Sequence, residues 1–129
     1  MSRRLLLVDD AEDIRMISCV SLERVGGWTV VSVASGEAAL DALEHKGPFN
    51  AVLLDVMMPG MDGPSTLQQL RARGLPAAVP VIFLTAKAQS AERQRLMSLG
   101  AAGVIAKPFD PLKLPGELAQ FLEENPGLP

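Results

Sequence analysis

The sequence predicts one α/β domain built on a parallel sheet with helices on both faces, the doubly wound arrangement. Short apolar runs alternate with longer helix-compatible segments five times. The runs at residues 5–8, 51–54 and 81–84 are apolar throughout, as strands buried on both faces must be. Polar residues stand directly after the runs: Asp9 and Asp10, Asp55, Thr85 and Lys107. In an open α/β sheet that position is the rim beyond the carboxyl ends of the strands, where chemistry collects.

The elements follow in order. Leu5-Leu6-Leu7-Val8 leads into Asp9-Asp10. The helix after it carries Ile14, Ile17 and Val25 as its stripe, leaves Met16, Cys19 and Leu22 off it, and stops at Gly26-Gly27. The second run, Thr29–Val33, mixes Thr and Ser with valine and reads as an edge strand, its start covered by Trp28. Ser35 suits the N-cap of the next helix, and Gly47 suits a left-handed stop. The third run delivers Asp55. Asp62-Gly63-Pro64 reads as a turn and helix start, with proline where a missing N–H costs nothing, and Gly74 ends that helix. The fourth run delivers Thr85, and Ser90 and Gly100 bound the fourth helix. The fifth run, residues 104–106, is short, suits the other edge, and delivers Lys107. Asp110 and Pro111 open the last helix, whose stripe is Leu114, Leu118, Phe121 and Leu122. Pro115-Gly116 is expected to distort its start. Residues 125–129 break helix and form an expected flexible tail, leaving 1–124 as the domain.

Composition narrows the function classes. The 129 residues suffice for one core, and 48% hydrophobic with 21% charged is ordinary for a soluble domain. A net charge of -3 and a pI near 5.1 offer no general nucleic-acid surface, so direct nucleic-acid contact is not expected. The lone Cys19 excludes an internal disulfide and a multi-cysteine metal site; it reads as a small packed residue and fits a reducing compartment. No apolar run approaches the ~20 residues that cross a bilayer. The basic start, Arg3-Arg4, leads to Asp9-Asp10 rather than to a cleavage site. A cytoplasmic location without a membrane partner is the expectation.

Three carboxylates gathered on one rim repel, and the remedies are a hard divalent cation and a nearby ammonium. A carboxylate so placed can attack phosphorus and form an acyl phosphate, given in-line approach and neutralised equatorial oxygens. Asp55 suits the nucleophile. Asp10 and Asp55 suit direct ligation of Mg²⁺, and Asp9 suits a coordinated water. Lys107 offers a compact positive charge for a phosphoryl oxygen. Thr85 offers a hydroxyl, and the small Ala86 leaves its backbone N–H approachable. Taken alone, Asp9-Asp10 would suit a helix N-cap, and Lys107 would be a solvated lysine; their joint presence with Asp55 and Thr85 favours the site. His45, beside Lys46 at a helix end, reads as surface. Met57, Met58 and Met61 suit loop packing rather than a soft-metal site, because the neighbouring aspartates are hard ligands.

These motifs resemble the receiver domain of two-component response regulators: Leu-Val-Asp-Asp at 7–10, Leu-Leu-Asp-Val-Met-Met-Pro-Gly-Met-Asp-Gly at 53–63, Phe-Leu-Thr-Ala at 83–86, and Gly-Ala at 100–101 leading to Lys-Pro-Phe at 107–109. The resemblance spans almost the whole chain and implies a flavodoxin-like sheet in the order 2-1-3-4-5 with five helices. It implies that Asp55 accepts a phosphoryl group from a histidine kinase or histidine phosphotransferase and signals to an unidentified downstream protein. It implies Mg²⁺, or Mn²⁺ in its place, held by Asp10, Asp55 and the Met57 backbone carbonyl with Asp9 acting through water. It also implies a cis bond between Lys107 and Pro108. The switch residues would be Thr85 and the residue three before the lysine. Many receivers carry Tyr or Phe there; this chain has Val104 and no tyrosine.

Other readings compete. As a stand-alone or relay receiver the domain would turn over only its own phosphoryl group and would not be an enzyme. The same residues could be cut from a longer regulator. An aspartyl-phosphate phosphohydrolase of the haloacid-dehalogenase type would place its nucleophile after the first strand and enclose substrate under a cap, and no cap segment is present. An FMN carrier on this fold needs a hydroxyl- and amide-rich phosphate loop, where residues 9–13 are acidic.

Overall fold

The computed structural model describes residues 3–123. The chain runs β1 (Arg4–Val8), α1 (Glu12–Val20), a π-helical turn (Ser21–Val25), β2 (Thr29–Val33), α2 (Gly36–Lys46), β3 (Ala51–Asp55), α3 (Gly63–Ala72), β4 (Val81–Thr85), α4 (Ser90–Ser98), β5 (Gly103–Ala106) and α5 (Leu114–Glu123). All pairings are parallel, in the order β2-β1-β3-β4-β5. The expected 2-1-3-4-5 order therefore holds. The expected tail at 125–129 lies outside the described residues.

Strand periodicity divides the core into two clusters. Leu6, Val8, Val52, Leu54, Val81 and Phe83 face α2, α3 and α4, whose Leu40, Leu67, Leu70 and Leu96 cover them. Leu5, Leu7, Leu53, Ile82, Leu84 and Ile105 face the other side, under Leu22 and the Leu114, Leu118, Leu122 stripe of α5. Each buried leucine contributes about 1.5–3 kcal/mol of transfer free energy. β3 and β4 are buried at every position, whereas no residue of β2 is fully buried, as suits an edge strand. Trp28 lies at the amino end of β2, only 5% exposed, with the Arg3 guanidinium stacked 4.3 Å from its ring centroid.

Several local expectations are corrected. α1 and the π-turn after it do not bury Ile17 or Val25, which are 45% and 56% exposed; they bury Ser18 and Leu22. A serine in mid-stripe hides the buried face, and the wide π-turn then shifts the helix phase. Met16, Ile17, Val20, Val25 and Leu112 are left exposed together. The Ser21 hydroxyl donates to the Pro111 carbonyl, tying that turn to the loop before α5. Gly47 ends α2 at φ -74, not in the left-handed region, and a cis bond to Pro48 follows. Gln89 rather than Ser90 precedes α4 as its cap, without a side-chain bond. α5 begins at Leu114, so Pro115 falls in its first turn, where no N–H is required. Ser35 caps α2 as expected, accepting from the Ala38 N–H at 3.0 Å, and Asp62, in the expected turn and helix start, caps α3 by accepting from the Ser65 N–H at 2.8 Å.

Candidate functional site: an acidic rim closed by a lysine

The strand register brings the polar residues together. β1 pairs with β3, β3 with β4 and β4 with β5, so Asp9, Asp55, Thr85 and Lys107 leave neighbouring strand ends. One carboxylate oxygen from each of Asp9, Asp10 and Asp55 lies within 4.8 Å of the others. Asp9 and Asp55 are buried, while Asp10 is exposed. From β5, which is not hydrogen-bonded to either of their strands, Lys107 Nζ reaches Asp9 Oδ2 at 2.9 Å and Asp55 Oδ1 at 3.1 Å. The Lys107–Pro108 peptide is cis, as expected.

The start of α3 packs directly against the end of β3 that carries Asp55. The Gly63 N–H donates to the Val56 carbonyl at 2.8 Å, and a Cβ at Gly63 would lie 2.8 Å from Val56 Cα and collide with the Asp55 carbonyl oxygen. Only glycine lets that helix start press against the end of β3.

Burial pushes the Asp55 carboxyl up, the Asp9 charge pushes it further, and Lys107 pulls it back; it ends at about 6, against an ordinary 3.8. For Lys107, burial lowers the pKa, but the bonds to Asp9 and Asp55 outweigh it, and the ammonium is held above its ordinary value. The rim thus has more negative charge than its lysine balances. Its donors are all hard oxygens, the chemistry that suits Mg²⁺ or Mn²⁺ rather than a soft metal.

Other predicted residues are placed less directly. Thr85 is 3% exposed, and its Oγ1 accepts from the Lys87 N–H at 3.0 Å, so the hydroxyl is engaged by the loop after β4 rather than by the acids. Ala86 is exposed beside it. Met57 is 74% exposed in the loop after β3. Val104, on β5 opposite Phe83, is 3% exposed and belongs to the α2–α4 side of the core. His45 is exposed and 3.1 Å from Asp41, consistent with a surface role. One contact is not legible in the sequence: Arg15 Nη1 donates to the Asp9 backbone carbonyl at 2.8 Å. A spacing of six residues across a loop end carries no periodic signal.

The response regulator receiver domain model matches residues 5–119. The chain belongs to that family. Among curated relatives, a probable transcriptional regulator of Cyanophora paradoxa, ycf27, is 39% identical over 98% of this chain and 52% of its own length. The alkaline phosphatase synthesis transcriptional regulatory protein PhoP of Bacillus subtilis is 34% identical over 97% of this chain and 50% of its own. The chain therefore spans about half the length of the curated relatives it matches. Because those relatives are transcriptional regulators, the expectation of no nucleic-acid contact finds no support in them. Among solved structures, the Vibrio cholerae chemotaxis protein CheY4 superposes with a TM-score of 0.87 at 30% identity, over 95% of this receiver and all of that chain. The BeF3-activated DrrB receiver domain gives 0.77 at 27%, over 95% and 99%. Among the described residues, no helix of the receiver is long and apolar enough to cross a membrane.

Proposed function

We propose that this receiver is a cytoplasmic phosphoacceptor in which Asp55 takes a phosphoryl group from a phosphohistidine on a histidine kinase or histidine phosphotransferase. The observation that carries this reading is the Lys107 ammonium shared between Asp9 and Asp55 within a rim of three carboxylates. An Asp55 oxygen attacks phosphorus, the P–N bond of the donor breaks, and the imidazole leaves with its electron pair. The product is a mixed anhydride on Asp55. Asp10, Asp55 and the Met57 carbonyl would hold Mg²⁺, with Asp9 acting through water; Mn²⁺ would substitute. The bound ion supplies charge neutralisation at the phosphoryl oxygens. Lys107 neutralises another of those oxygens by exchanging its Asp55 contact for the phosphoryl group.

Switching follows from differential contacts. To donate to the phosphoryl group, the Thr85 hydroxyl must leave the Lys87 N–H. The Ala86 N–H lies in the same loop. Each charge-assisted bond contributes about 1.5–3 kcal/mol, so two or three overturn a gap of a few kcal/mol. With Val104 at the position where many receivers carry an aromatic ring, the change passes through the loop after β4 without a ring rotation there.

The domain acts on its own phosphoryl group and does not turn over added monoesters. The relatives' lengths and names support an output on transcription through a longer protein or a partner. The deciding experiment is intact-mass measurement after incubation with a small phosphodonor and Mg²⁺. One added phosphoryl group is expected, absent in Asp55→Ala and in excess chelator. Modification that persists in Asp55→Ala, or repeated hydrolysis of an added monoester, overturns the reading.

A further inference from the structure

Four polar groups of Asp9 have fixed partners. Its N–H donates to the Val33 carbonyl at 3.1 Å. Its Oδ1 accepts from the Ala11 N–H at 2.9 Å, and its Oδ2 from Lys107 Nζ at 2.9 Å. Its backbone carbonyl accepts from Arg15 Nη1 at 2.8 Å. That last oxygen belongs to the peptide joining Asp9 to Asp10. Fixing it fixes the plane from which the Asp10 side chain departs. Asp10 is exposed, so little packing aims it. Among the described residues, Arg15, half-buried in the first turns of α1, is the side chain that grips the peptide on which that aim depends.

We propose that Arg15 is a positioning residue: by holding the Asp9–Asp10 peptide, it directs the Asp10 carboxylate toward Asp55 and sets the affinity of the rim for a hard divalent cation. This rests on the phosphoacceptor reading. Groups that orient a metal's ligands change affinity by roughly 10–100-fold when removed. The alternative role, charge alone, has the opposite sign. A guanidinium near three carboxylates competes with a dication, so deleting it as a mere charge tightens binding. The direction of the change therefore separates the two.

The test measures the Mg²⁺ dissociation constant from backbone amide shifts in the wild type, Arg15→Gln and Arg15→Lys. Arg24→Gln, on the exposed surface of the π-turn, controls for a lost positive charge on the same segment. Arg15→Gln is expected to weaken Mg²⁺ binding about tenfold, with Arg15→Lys intermediate and Arg24→Gln like wild type. Raising Mg²⁺ to saturation is expected to restore the rate of phosphorylation of Arg15→Gln by a small donor, a recovery that general unfolding would not permit. If Arg15→Gln does not fold, an intermediate loss in Arg15→Lys carries the proposal and wild-type affinity there overturns it. Equal or tighter binding by Arg15→Gln also overturns it. Should these variants bind normally while wild type is phosphorylated on Asp55 with Mg²⁺, only the role of Arg15 fails. A wild type that neither binds Mg²⁺ nor is phosphorylated overturns both readings.

Discussion

Lys107 Nζ stands 2.9 Å from Asp9 and 3.1 Å from Asp55, one cation shared by two buried carboxylates. Replacing it by methionine leaves the acids facing each other without compensation. Because the lysine side chain is 18% exposed, the expected loss lies below that of a fully buried pair, about 1–3 kcal/mol in chelator. Mg²⁺ bound as proposed would occupy the same negative field, so the loss should shrink when the ion is added. Urea unfolding of Lys107→Met with and without Mg²⁺ measures this; an identical deficit in both would contradict the shared-charge account.

The raised Asp55 pKa gives a sign to the pH dependence. The folded state holds the proton up to about 6, whereas the unfolded chain releases it near 3.8. Between those values the native state binds more protons, so this group's contribution to stability is full below 3.8 and is lost as pH rises through about 6. Asp55→Asn removes the ionised carboxylate and should stabilise the metal-free protein by about 2 kcal/mol at neutral pH. The gain should fade toward pH 4. Thermal unfolding across that range tests it, and a gain that does not vary with pH would count against the cause assigned.

Thr85→Ala removes the acceptor of the Lys87 N–H, and with it the hydroxyl that the proposed phosphorylated form would use. Phosphorylation of Asp55 should persist in this variant. The phosphorylation-dependent shifts of the amides at 86–89 should be largely lost. Wild-type-sized shifts in Thr85→Ala would remove this residue from the switch.

Gly63→Ala forces a Cβ into the Asp55 carbonyl and Val56. Both obstacles are backbone, so α3 or Asp55 must move, at a cost of about 1–3 kcal/mol. Phosphorylation should slow more than it does for an alanine at Gly74, which has open space but a φ of +107. Comparison of the two variants by denaturation and by intact mass separates loss of stability from loss of aim.

Ser18 Oγ is buried on α1 and has no hydrogen-bond partner among the described residues. Ser18→Ala should therefore stabilise the domain, by about 1 kcal/mol, since an unsatisfied hydroxyl costs that much or more. A destabilised variant would mean the hydroxyl has a bonded partner such as an ordered water.

Much of this was legible because the signals were strong and local. Apolar runs ending in Asp9-Asp10, Asp55, Thr85 and Lys107 fixed both the strands and the rim, and parallel register did the rest. The misses lie where tertiary packing overrides local pattern. Ser18 occupies a core-facing position that a hydrophobic stripe would skip. The π-turn breaks the periodicity on which Val25 was placed. Gly47 precedes a proline, whose restrictions displace the left-handed stop. Thr85 was placed correctly, but the direction of its hydroxyl depends on a loop that no spacing describes.

Trp28 is the chain's only tryptophan, and it lies at the amino end of β2, across the length of the sheet from Asp55. Its indole is packed under Arg3 and among core side chains on the α1–α5 side. Intrinsic fluorescence should consequently follow global unfolding faithfully and stay almost silent when an ion or phosphoryl group arrives at the far rim. An emission probe for ligation in this receiver has to be introduced near Met57.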